Sequence, residues 1–259
     1  MRNYSVIALM TVVWLVLMAN IIWSRTDGQW KVEDADKIAL IEVAKYTNQI
    51  IVVAVSDEGA RLCFYERMPV NEDGKMKEEE RNKIEKRCDR DDRASRKDKW
   101  KLILETEAII GKNGLGKTKE GDGKTPVGVF RFTNVFGILD NPGSKMKYTK
   151  VDERHYWVDD SISKYYNQFI STGTMNQDWE SAEHICEYEE SYHYVLATSY
   201  NSECIPGAGS AVFLHCTSED SKATEGCIAV PEVYMKELVK RVESQCVLIV
   251  DEERNILRY

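Results

Sequence analysis

Residues 213–231 read FLHCTSEDSKATEGCIAVP. A short apolar run ends on His215, a polar loop follows, and the chain returns through Thr224, Glu225 and Gly226 to Cys227. The run over residues 211–215 predicts a strand, on which alternation puts Phe213 and His215 on one face and turns Cys216 to the other. A cysteine nucleophile needs a base to form its thiolate, and backbone N–H groups aimed at the oxyanion that acyl transfer creates. Gly226 in front of Cys227 suits that task, because a residue without Cβ leaves the backbone open beside a substrate. The residues alone also allow a buried thiol beside a turn.

Downstream, Pro231 fits a first helical turn, and Met235, Leu238, Val239 and Val242 recur at helical spacing, so an amphipathic helix is predicted there. Residues 246–250 read as a closing strand. Upstream, residues 49–55, 60–65, 99–110 and 194–199 are strand-like and rich in β-branched side chains. The expected class is β-rich α+β with one late helix, in one domain over residues 49–259. Of the 29 residues at 71–99, 21 are charged in nearly equal numbers of each sign, which predicts a solvated insertion.

The glycine-rich block over residues 111–128 contains Gly123-Lys124-Thr125, which invites comparison with a phosphate loop. Such a loop opens a helix, whereas here Pro126 and an alternating apolar run follow, so turns between strands are expected. With 35 Lys and Arg against 43 Asp and Glu the net charge is −8, which argues against nucleic acid as partner.

Residues 4–23 form a run of 20 without charge, about 30 Å as a helix, preceded by Arg2. No small-x-small cleavage site follows it. The expectation is a signal anchor (or uncleaved signal peptide) over residues 1–26, a short stalk or helix over 27–48, and a catalytic domain outside the cytoplasm, held at the membrane or secreted to the wall. Seven cysteines, an odd number, leave at least one without a partner inside the chain.

The segment 213–231 resembles the catalytic stretch of the L,D-transpeptidase (YkuD-type) family: a His at a strand end, a loop, then Ser/Thr-x-Gly-Cys-Ile/Val. The resemblance extends to the glycine-rich entry, to residues 156–160, 166–167 and 179–184, to Tyr200-Asn201 and to residues 209–215, and covers roughly residues 49–250. It belongs with a branch carrying Cys216 after the His and Ala229 where many members have Arg. It implies a β-sandwich or barrel acting on peptidoglycan stem peptides, with Cys227 as nucleophile, His215 as base, the Cys216 carbonyl as third group, and Gly226 in the chain reversal. Thr224, His184 and Asn201 are expected to line the substrate cleft. The implied reaction attacks the carbonyl of the position-3 diamino acid, expels the terminal D-alanine and forms 3→3 cross-links; with water as acceptor it is an L,D-carboxypeptidase. No cofactor or metal is implied, and the oligomeric state is open.

Two rivals remain. His184, Cys186, His193, Cys204, His215, Cys216 and Cys227 crowd into 44 residues, and Cys and His suit zinc, although no paired Cys-x-x-Cys spacing occurs. A wall-binding module without turnover is the other. Residues 151–193 carry ten acids against Arg154 and Lys164, either a rim that gathers an acceptor amine or a solvated lobe.

Overall fold

The computed structural model describes residues 35–68, 99–173 and 175–259. The expected anchor over residues 1–26 and nearly all of the charged insertion lie outside them. Among the described residues no helix is long and apolar enough to cross a membrane.

The first sheet is built around β1 (Gln49–Ser56), whose Ile50, Ile51, Val52 and Val53 are all buried. A run apolar at every position, not every second one, belongs to a strand covered on both faces. It pairs antiparallel with β2 (Gly59–Arg67) and parallel with β13 (Val247–Glu252), while β3 (Trp100–Ala108) and β4 (Gly128–Phe130) take the edges, giving the order β3-β2-β1-β13-β4. One face carries Ile51, Val53, Leu62, Phe64, Leu248 and Val250 into the main core. The other carries Ile50, Val52, Tyr65 and Ile249, and is covered by Ile38, Ile41 and Ala44. Ile38 comes from α1 (Ala35–Ile38), Ala44 from the 3₁₀ turn Glu42–Tyr46 and Ile41 from the link just before it, so the stretch expected as a stalk is packed onto the sheet from Ala35 onward.

The second sheet has the order β12-β11-β10-β5-β6, from Ile228–Val230, Phe213–Cys216, Val195–Thr198, Phe132–Gly137 and Tyr148–Lys150. Its Val135, Leu196, Leu214 and Ile228 meet the first sheet in the main core, with Met235, Leu238 and Val239 of helix α2 (Glu232–Arg241) filling the same space. Among the described residues the arrangement is two open sheets that share the main core with helix α2, joined at one edge by a bridge between Ile109 and Ala229.

A third, small sheet lies within the acidic stretch: β7 (His155–Val158) between β8 (Phe169–Ser171) and β9 (Ala182–His184). Its strands are three or four residues long and mix aromatic with charged side chains, too short for a period-2 pattern to stand out. It covers the second sheet through Trp157 and Phe169, which pack with Phe136 and Phe213.

Candidate active site

β11 and β12 pair in parallel, with Leu214 opposite Ile228 and His215 opposite Ala229. Extending that register by one residue sets Phe213 beside Cys227, and the Phe213 N–H does reach Cys227 Sγ at 3.3 Å. Phe213 and His215 share a face, since both rings meet Tyr192 edge-on. Leu214 and Cys216 point the other way, into the main core, as the alternation predicts. The strand starts two residues later than expected, because Ala211 has a φ of 51° and its N–H is tied to Asn167 Oδ1 at 3.2 Å. A non-glycine residue in the left-handed region is costly and persists only where the surroundings hold it.

Cys227 opens onto a cleft of about 260 Å³ whose walls include Lys117, Glu120, Asp159, Glu183 and Gly226. Its thiol donates to the Ala211 carbonyl at 3.0 Å. Burial, reinforced by the Glu183 charge, pushes the thiol up to about 12, against the opposing pull of the Phe213 N–H and Lys117. His215 is buried, and its Nδ1 lies 2.8 Å from the Cys216 carbonyl. A carbonyl only accepts, so Nδ1 carries the proton and Nε2 is left as the basic nitrogen. Burial lowers the imidazole to about 4, although the Cys216 and Ser191 carbonyls favour its protonated form. Both members of the pair are therefore neutral near pH 7, a thiol and an imidazole.

The chain reversal before Cys227 is held by hydroxyls. Thr224 Oγ1 accepts from the Gly226 N–H at 3.1 Å and donates to the Cys227 carbonyl at 2.7 Å, and Thr125 Oγ1 approaches the same carbonyl at 3.3 Å. Thr224 thus shapes the turn. Gly226 has a φ of +140°, and a Cβ there would stand 2.7 Å from the Lys124 carbonyl. No hydrogen bond occupies the Cys227 N–H among the described residues.

None of the three residues expected to line the cleft is in its walls: Thr224 is taken up in the turn, and His184 and Asn201 lie elsewhere. On β9 the side chains alternate, so Glu183 lines the cleft and His184 does not. His184 stacks on Tyr156 at 4.4 Å and reaches the Glu187 carboxylate and the Glu153 carbonyl, each at 2.9 Å. Burial draws that imidazole down, but these two acceptors outweigh it and raise its pKa. Asn201 is also taken up internally: its Nδ2 donates to the Ile205 and Gly209 carbonyls and its Oδ1 accepts from the Ile205 N–H, closing the loop at 201–209.

Lys117, by contrast, went unread in the sequence. It sits between two glycine turns and forms a buried ion pair with Asp122 at 3.1 Å. Asp122 also accepts from the Thr118, Lys119 and Lys124 amides, which hold its carboxyl far below the usual range despite the opposing effect of burial. A Cβ on Gly209 would come 2.6 Å from Lys117 Cε, and one on Gly226 would come 3.3 Å from its Nζ, so the two glycines make the space the ammonium occupies. The only signal was a lysine five residues before an aspartate among glycines.

Among the described residues no three His, Cys, Asp or Glu side chains converge as a metal site, so the zinc rival's residues are not gathered. The six described cysteines are free thiols.

The model of the L,D-transpeptidase catalytic domain (YkuD) matches residues 88–250. No curated protein matches the chain. Among solved structures, the helical cell shape determining protein Pgp2 from Campylobacter jejuni is 15% identical, with a TM-score of 0.39 over 85% of this chain and 56% of that one. An L,D-transpeptidase mutant from Enterococcus faecium is 14% identical, with a TM-score of 0.34 over 79% of this chain and 50% of that one. An L,D-transpeptidase from Stackebrandtia nassauensis is 12% identical, with a TM-score of 0.32 over 85% of this chain and 66% of that one. This chain spans about half the length of the first two. With more than half of its residues inside the family model, the chain belongs to the YkuD-type L,D-transpeptidase catalytic domain family.

Proposed function

We propose that this protein carries out cysteine-dependent acyl transfer on peptidoglycan stem peptides outside the cytoplasm. The observation that carries the reading is the parallel register of β11 and β12, which sets a cleft-facing Cys227 beside the strand whose same face bears His215. The resting thiol donates to Ala211, so rotation of the side chain toward His215 comes first. His215 Nε2 then takes the thiol proton as sulfur attacks the carbonyl of the position-3 diamino acid. The Cys227 N–H stabilises the oxyanion, with Gly226 keeping the backbone open to it. Collapse expels the amine of the terminal D-alanine, which takes its proton from His215, and leaves a thioester. The side-chain amine of a second stem displaces sulfur to give a 3→3 cross-link. Thr224 holds the reversal, and the Lys117 ammonium stands beside Gly226.

The test is incubation with a tetrapeptide stem, followed by intact-mass and product analysis. A Cys227 adduct followed by 3→3 dimers supports the transfer reading. An adduct resolved only to tripeptide makes the protein an L,D-carboxypeptidase. Wild-type protein that forms no adduct with the stem or with a carbapenem leaves the non-catalytic wall-binding reading.

A further inference from the structure

Glu183 meets the candidate site in two ways. It lines the cleft with Cys227, and its Oε2 accepts from the Tyr192 hydroxyl at 2.6 Å. The Tyr192 ring is buried and stands edge-on to His215, with centroids 5.4 Å apart and planes at 79°, and edge-on to Phe213 at 5.7 Å. The Tyr192 backbone is fixed at both groups, its N–H to the Tyr188 carbonyl and its carbonyl from the Ile138 N–H. The ring packs against Tyr188, Phe213 and His215, and its far end is tied at Glu183. His215 itself is held at Nδ1 by the Cys216 carbonyl, which sets its tautomer, the Ser191 carbonyl also acts on the imidazole, and the Tyr192 ring packs against its side.

We infer that Glu183 is a positioning residue for the Cys227–His215 pair, acting through Tyr192, whose ring it locks against the His215 imidazole. The inference rests on the acyl-transfer reading above. The groups that face Glu183 are Asp159 from the segment after β7, Glu120 from the glycine-rich block, Lys117, Cys227, Tyr188 and Tyr192. Among the described residues one carboxylate oxygen of Asp159 is buried without a partner, and the Tyr192 hydroxyl is the donor that reaches the Glu183 side chain. Burial pushes the Glu183 carboxyl up to about 7, opposed by the Tyr192 hydroxyl and aided by Asp159 and Glu120. Its ionised form sets a negative charge next to the thiol that has to become a thiolate.

Three variants test this: Tyr192→Phe, Glu183→Ala and Glu183→Gln. Each is assayed for single-turnover acylation by tetrapeptide or carbapenem, for alkylation of Cys227 by iodoacetamide across pH, and for Tm. Losing the tie in Tyr192→Phe or Glu183→Ala is expected to slow acylation about tenfold to a hundredfold, with half-saturation unchanged, as for a misplaced reacting group. Glu183→Gln keeps an acceptor for the hydroxyl and recovers most of the rate lost in Glu183→Ala. It also moves the alkylation midpoint to lower pH, because the opposing charge is gone. Wild-type acylation rates in folded Tyr192→Phe and Glu183→Ala overturn the inference, and so does a Glu183→Gln as slow as Glu183→Ala. If the wild type forms no adduct at all, the acyl-transfer reading has failed instead. The alkylation rates still decide this inference in that case, since an unchanged Cys227 rate and midpoint in Tyr192→Phe and Glu183→Ala overturn it.

Discussion

His215 and Cys216 are neighbours in the chain, and the Nδ1 of the first donates to the carbonyl of the second at 2.8 Å. The bond uses only the backbone of Cys216, whose thiol is turned into the main core and whose pKa burial pushes up to about 12. Cys216→Ala therefore keeps the His215 tautomer and most of the acylation rate, at a stability cost of about 1–2 kcal/mol for the small cavity. Cys227→Ala and His215→Ala abolish acylation while the fold persists. Intact-mass detection of the acyl adduct on all three variants checks this. An adduct surviving in Cys227→Ala and vanishing in Cys216→Ala reverses the assignment of nucleophile.

The pH dependence of stability carries two opposed contributions. The His215 pKa falls from 6.5 to about 4 on folding, so the unfolded chain binds more protons between those values. Its contribution is present above pH 6.5 and is lost as pH falls through 4, on the order of 3 kcal/mol. The Glu183 pKa rises from 4.5 to about 7, so its contribution is present below pH 4.5 and is lost as pH rises through 7. Between about pH 4.5 and 6.5 the two slopes oppose each other. Urea unfolding across pH 4–7.5 is expected to show Glu183→Gln gaining stability as pH rises and His215→Gln losing it. Parallel profiles for the two variants contradict the assignments.

Gly226→Ala meets two obstacles at once, a backbone φ of +140° and a Lys124 carbonyl 2.7 Å from the new Cβ. The expected cost is about 1–3 kcal/mol, as for a strained backbone position. Because the residue adjoins Cys227, the alkylation rate of that thiol changes too. Thermal unfolding combined with iodoacetamide kinetics measures both. A variant matching the wild type in both shows that the turn relaxes without strain.

The Lys117–Asp122 pair is shielded from solvent, with side chains only 3% and 7% exposed. Removing one partner strands the other charge, so Lys117→Met is expected to lose about 3–5 kcal/mol. It also removes the one nearby charge that lowers the Cys227 pKa, and alkylation of that thiol slows at a given pH. The urea midpoint and the alkylation rate are the readouts. Asp122→Asn strands the Lys117 ammonium and turns an amide NH₂ toward backbone N–H donors, so it is expected to cost at least as much as Lys117→Met.

Much of this architecture was legible because local rules are enough for it. The uninterrupted run at 50–53 needs two covering layers wherever it folds, and the period of Met235, Leu238, Val239 and Val242 specifies one helical face. Alternation across residues 213–216 decided which side of the strand holds His215 and which holds Cys216. Glycine before Cys227 announced a conformation that other residues resist. What lay beyond the sequence is whatever depends on contacts between distant segments. The three-residue strand β9 has no pattern to show which of Glu183 and His184 faces the cleft, and its pairing with β7 settles that. Asn201 reads as a polar cleft residue until the loop it closes is seen around it. Lys117 becomes part of the site only because Gly209 and Gly226, about 90 and 110 residues away, leave it room. Periodicity and backbone freedom are local and survive in the sequence, whereas the burial of a charge and the approach of two side chains are set by folding alone.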